Sequence, residues 1–192
     1  VMKTIAAICT LIPSLLLIAC GTDETKEEPS DDLSGFTVTA SQAESVKEHF
    51  VYRLASEKEQ YTEGEEIEIY AELEYTGEEK SMEISHAASP FYFPIHEETR
   101  DYSVEYVMNE PLLTTRLVPG EPLRESYSGN GGYSGEDDDA YIEFVQSVMN
   151  NEFPPGYYTL SGYADFTAIN TDNSSKHYTI PSQIDFKVVP KN

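Results

Sequence analysis

Residues 65–75 read EEIEIYAELEY, and no other stretch limits the fold of this chain so strongly. In an extended backbone, Ile67, Ile69, Ala71, Leu73 and Tyr75 fall on one face and Glu66, Glu68, Tyr70, Glu72 and Glu74 on the other. At about 3.6 residues per turn the same apolar residues scatter around a helix, so only a strand gathers them into a face that can be buried. Shorter runs repeat the habit: FTVTA (36–40), HFVYRL (49–54), SMEIS (81–85), YSVEYVM (102–108), LLTTRLV (112–118), YYTLSGYADF (157–166) and QIDFKVV (183–189). Turn signals separate them at Glu63-Gly64, Thr76-Gly77, Pro119-Gly120 and Pro154-Pro155-Gly156. That spacing predicts one all-β domain over residues 36–192, an antiparallel β-sandwich.

Two segments depart from the alternation. SQAESVKEH (41–49) reads as a short helical turn, with Ser41 as its cap and Glu44 three residues on. The longer segment, SGNGGYSGEDDDAYIEFVQSVMNNEFPPG (128–156), opens with glycines that cannot support a strand. From Ser134, with Asp137 three residues later, an acidic first turn leads into Ile142, Val145 and Met149, with Phe144 and Val148 beside them. This predicts one short helix in a crossover loop between the sheets, its start favoured by negative charge at the positive end of the helix dipole.

The turns carry a resemblance. YTEGEEIEIYAELEYTG sets an aromatic and a Gly-Glu turn before an alternating strand, while LVPGEPLRESYS and FPPGYYTLSGYADF each feed a Pro-Gly turn into a strand. Over about residues 50–189 this arrangement resembles the immunoglobulin-like domain of bacterial intracellular-proteinase-inhibitor-like proteins, a domain that also occurs in lipoproteins. The resemblance implies an immunoglobulin-like sandwich, with Tyr158 where such folds place a corner tyrosine whose hydroxyl bonds back to the preceding backbone. Inhibition is not implied, because no reactive-loop motif matches.

The N-terminal region reads as a processing segment. Lys3 precedes the apolar run of residues 5–19, which Pro13 interrupts and which is short of the roughly 20 apolar residues of a membrane-crossing helix. Leu17-Ile18-Ala19-Cys20 resembles the lipobox of bacterial lipoproteins, and this implies a signal peptide over residues 1–19 and a diacylated Cys20 as the mature N-terminus. Two acyl chains suffice for stable membrane attachment. With Cys9 in the removed segment and Cys20 acylated, no thiol remains for redox, zinc-thiolate or nucleophilic chemistry. Residues 20–35 then form an anchor and an acidic tether of about 15 residues, poor in aromatics, spanning roughly 20 Å as a flexible chain. The expected location is the extracytoplasmic face of the membrane.

Charge selects among partners. The chain has 12 basic and 35 acidic residues, and without Lys3 the count of 11 against 35 leaves −24. Nucleic acid is excluded as a partner, because phosphate binding needs clustered Lys and Arg. Such a field biases encounters toward cationic peptides, basic protein patches or metal cations.

No catalytic signature accompanies the fold. His49, His86, His96 and His177 lack ligand spacing, although His86 and His96 flank HAASPFYFPIH, an edge strand or a loop packed on the core. Glu136-Asp137-Asp138-Asp139 and Asn170-Thr171-Asp172-Asn173-Ser174 offer calcium-type oxygens without the twelve-residue loop pattern, and a solvated helix start and a polar hairpin are the favoured readings. The expectation is an interaction module rather than an enzyme, with no cofactor; inhibition of an exported protease, or weak cation or small-ligand binding, stands as the alternative. The expected interaction surface is the glycine-rich crossover, through Tyr127, Tyr133, Asp137, Asp138, Asp139 and Tyr141. The competing reading has these rings covering the helix and the sheet edge.

Overall fold

A computed structural model describes residues 33–191. The expectations for the signal segment, for Cys20 and for tether residues 21–32 lie outside the described residues. Within them the chain is an all-β antiparallel sandwich with one α-helix, as the alternation predicts.

The first sheet takes β1 (Gln42–Lys47), β2 (Phe50–Ser56), β4 (Ile69–Tyr75) and β10 (Leu123–Ser126), in the order β1-β2-β4-β10. On β4 the expected register holds: Ile69, Ala71, Leu73 and Tyr75 are buried, and Tyr70, Glu72 and Glu74 are partly exposed. Ile67 is also buried, although the ladder starts only at Ile69.

Four stretches of chain each supply a strand to the second sheet and a strand to the third. They are β5 (Met82–His86) with β7 (Ile95–Glu97), β8 (Tyr102–Val104) with β9 (Leu113–Leu117), β11 (Gly156–Leu160) with β12 (Tyr163–Ile169), and β13 (Ser175–Pro181) with β14 (Ile184–Val189). With β3 (Gln60–Thr62) at one edge, the second sheet runs β3-β14-β11-β7-β8 and the third β13-β12-β5-β9. The short β6 (Phe91–Tyr92) pairs with β12. The β3–β14 pairing is parallel.

The bends fall where the backbone permits them. In HAASPFYFPIH, Pro90 and Pro94 interrupt pairing while Phe91, Phe93 and Ile95 turn inward, so the segment is core and crosses from one sheet to the other. At Gly162 a Cβ would press on Leu54 and the Tyr52 hydroxyl, which is why the β11–β12 bend dips onto the first sheet at a residue without a side chain.

Aromatic rings fill the interior. Tyr158 stacks on Phe186 with centroids 5.2 Å apart, and Phe153 meets both rings edge-on. Phe50 packs likewise against Phe166 and Tyr178, each at 4.8 Å. The Tyr158 hydroxyl donates to the Pro154 carbonyl at 2.6 Å, the corner latch expected of it.

Three local expectations are corrected. SQAESVKEH forms β1 rather than a helical turn, because β2 offers a ladder edge and Glu44 pairs across it with Arg53 at 2.7 Å. FTVTA forms no strand. Its residues lie along β14, held by side chains: Thr39 and Ala40 N–H groups donate to the Asp185 carboxylate at 2.8 and 2.7 Å, and Lys187 donates to the Leu33 and Phe36 carbonyls. Leu33, read from composition as tether, is buried at the start of this strap in a 3₁₀ turn, Leu33–Gly35. The polar stretch 170–174 is a hairpin turn between β12 and β13, with Asn173 at φ 62° and Asp172 accepting from Ser174.

Candidate functional site

The helix of the crossover, α1 (Asp139–Met149), starts five residues later than the Ser134 reading. Its cap is Asp138, whose carboxylate accepts the Tyr141 N–H at 2.9 Å. Ser134 and Asp137 form a separate turn just upstream, the Ser134 N–H donating to the Asp137 carboxylate at 2.6 Å. Phe144, Val145 and Val148 face inward, as their spacing predicts. No basic residue stands in the last turn, so nothing on the helix offsets the negative end of its dipole.

The glycine-rich stretch before the helix is packed down rather than extended into solvent. Gly129 adopts φ +67°, and a Cβ there would overlap the Met149 carbonyl oxygen. A Cβ on Gly131 would press on Val104, Met149 and Val145. Asn130 clamps the neighbouring segment, its side chain accepting the Val107 N–H at 3.0 Å and donating to the Val107 carbonyl. The glycines serve close approach of this loop to α1 and to the chain after β8.

The six residues expected as an interaction surface therefore divide. Tyr127 is a correction: it is 7% exposed, packs edge-on against Phe93 and Phe153, and its hydroxyl bonds to Asn130, while burial pushes its pKa up to about 12. Tyr141 is partly buried against Tyr102, and its hydroxyl donates to the Ser103 carbonyl at 2.7 Å, capping the β8 edge. Burial raises its pKa, and the charges of Asp137 and Glu105 add to the shift. Tyr133 is exposed at 46%, its hydroxyl accepting from Gln146 at 2.9 Å. Asp137, Asp138 and Asp139 are exposed beside it.

Two residues that sequence reasoning missed complete the surface. Val107 is 57% exposed and Met149 36% exposed. Val107 lies against the backbone of Gly132, and Met149 against Gly131. Val107 and Met149 thus flank the Gly131-Gly132 backbone, and Tyr133 follows it in the chain. The run YSVEYVM does carry the signal for Val107: its alternation continues past the end of β8, with Tyr102, Val104, Tyr106 and Met108 turned inward and Ser103, Glu105 and Val107 outward.

The electrostatics around this patch are one-sided. Residues 101–115 and 125–152, which build it, carry ten Asp and Glu and no Lys or Arg. Neighbouring Arg100 is committed to the buried Glu97 and to the Pro155 carbonyl. At the far end of α1 a hollow of about 370 Å³ is lined by Glu63, Gly64, Ser147, Glu152, Phe153 and Pro154. The first sheet is different: Arg53 pairs with Glu44 and Glu74, and Arg124 pairs with Glu57 and Glu72 while lying 3.3 Å from the Tyr70 ring centre.

The histidine pair is not brought together as one site. His86, on β5, bonds to the Ala87 carbonyl and the Thr115 hydroxyl, whereas His96, on β7, contacts Ser103 and faces Glu98 and Asp101. Among the described residues no group of three or more His, Cys, Asp or Glu is arranged to hold a metal ion. No helix among them is long and apolar enough to cross a membrane. Comparison with known protein families and with curated proteins finds no match for this chain. Chemically, the α1 face offers apolar contact set in a strong negative field.

Proposed function

We propose that this chain is a lipid-anchored surface protein of the extracytoplasmic face, and that its β-sandwich works as a protein-interaction module rather than an enzyme. The anchor reading is supported by the Leu17-Ile18-Ala19-Cys20 sequence and the acidic stretch after it. The interaction reading is carried by one observation: Val107, Tyr133 and Met149 stand exposed beside Gly131 and Gly132 on a face with no basic residue of its own. Loops fixed on a rigid scaffold are where binding surfaces concentrate, and exposed aromatics serve as their anchors.

The test is chemical crosslinking on living cells of the source organism, comparing wild type with a Val107→Ser, Tyr133→Ser double variant. Most crosslinked partners are expected to be lost while thermal unfolding stays within a few degrees of wild type, since both side chains are solvent-facing. A folded double variant that keeps its full set of crosslinks overturns the assignment of this face. For the anchor, Cys20→Ser is expected to leave the membrane fraction or to accumulate as uncleaved precursor.

A further inference from the structure

The geometry points to a partner of definite chemistry: a Lys/Arg-rich protein segment that carries apolar side chains between its charges. This rests on the interaction reading and adds to it which surface the α1 face accepts. Three features converge. Val107, Tyr133 and Met149 supply exposed apolar contact beside the closely packed backbone of Gly131 and Gly132. Asp137, Asp138 and Asp139 stand at one end of α1, and Glu152 and Glu63 line the hollow at the other. The helix is 11 residues, about 16 Å long, so a segment along it places basic groups toward both acidic ends with its apolar residues between.

Charge also decides against a second copy of this chain. Two such faces, each without a basic residue, repel one another, whereas a basic segment neutralises both ends at once. Local carboxylates count for more than the overall charge of −23, because at physiological salt the screening length is about 8 Å and only nearby groups are felt strongly.

The test uses the full chain and three labelled synthetic peptides of twelve residues: alternating Lys and Leu, the same with Glu for Lys, and oligolysine. Fluorescence anisotropy at physiological salt is expected to show the Lys-Leu peptide binding at least about ten-fold tighter than oligolysine, with no binding of the Glu-Leu peptide. Val107→Ser with Tyr133→Ser is expected to weaken the Lys-Leu peptide about ten-fold and to leave oligolysine unchanged. Asp137, Asp138 and Asp139 changed together to Asn remove three charges and are expected to weaken both cationic peptides. Asn still caps a helix, so α1 is retained. Glu78, Glu79 and Glu83 changed to Gln remove the same charge from the β4–β5 turn and β5, and are expected to change neither.

Equal effects of the two triple variants mean attraction to net charge alone and overturn the inference. So does Lys-Leu binding that ignores Val107 and Tyr133, or competition by calcium chloride beyond that of sodium chloride at equal ionic strength. If the double variant loses its cellular crosslinks while the peptides bind nowhere on this face, the interaction reading stands and the cationic partner falls.

Discussion

The Tyr157 hydroxyl donates to the Asp185 carboxylate, and Phe36 stacks on the same Tyr157 ring with centroids 4.8 Å apart. Asp185 also accepts from the Thr39 and Ala40 N–H groups, so one buried carboxylate fastens the N-terminal strap to β14. Burial pushes this carboxyl up, but the hydrogen bonds from Tyr157, Ala40 and Thr39 together outweigh it and hold its pKa below the ordinary 3.8. Because the folded value is depressed, the group's contribution is complete above the ordinary value and is lost as pH falls through the lower one. Asp185→Asn turns an amide toward donors and is expected to cost about 2–4 kcal/mol at neutral pH. Circular dichroism during acid titration checks the sign: the variant loses less stability than wild type between about pH 4 and pH 2. Parallel acid curves would assign the wild-type loss to other carboxylates.

Ile69 is 1% exposed and Glu68, one residue before it, faces solvent. Ile69→Asp places an unpaired charge in the core at a cost of several kcal/mol, against a typical total of about 5–15, and is expected to unfold the protein. Glu68→Lys is expected to change the melting temperature little. Similar melting of both variants would contradict the register of β4.

The Tyr52 hydroxyl is buried and has no hydrogen-bond partner among the described residues, and burial pushes its pKa up. An orphaned polar group carries its desolvation cost without return. Tyr52→Phe removes the oxygen and keeps the ring beside Phe91, so stability is expected to stay level or rise by about 1 kcal/mol in urea unfolding. A loss of more than about 1 kcal/mol would mean the hydroxyl is satisfied in solution, with a buried water the natural candidate.

Gly129→Ala strains a left-handed backbone and drives a methyl into the Met149 carbonyl. The loop must lift from the end of α1, at a cost of about 1–3 kcal/mol. Heteronuclear NMR reads the outcome, with shift changes expected at Asn130, Val107 and Met149. Gly135→Ala, in open space, is the control that leaves those signals in place.

What the sequence made legible follows from which patterns have a period. Strand β4 and helix α1 announce themselves because burial on one side imposes alternation or a 3–4 spacing on their apolar residues. Strand β1 carries no such mark: its residues are exposed or half-exposed, and it is a strand only because β2 needs a partner along that edge. β13 is similar, with only Tyr178 and Ile180 turned inward. The proposed face was half legible. Its acids and Tyr133 stand out in the sequence, but whether an aromatic on a glycine-rich loop is anchor or core depends on contacts far along the chain, as Tyr127 against Phe93 and Phe153 demonstrates.

The division of four chain stretches between the second and third sheets bears on how the sandwich comes apart. A stretch that belongs to two sheets cannot leave one without pulling on the other, and β11–β12 and β13–β14 run side by side through both. Neither sheet is then a separate unit of local opening. The amides of Tyr158 on β11 and Phe166 on β12 are then expected to exchange with a single free energy of exposure, that of the whole domain.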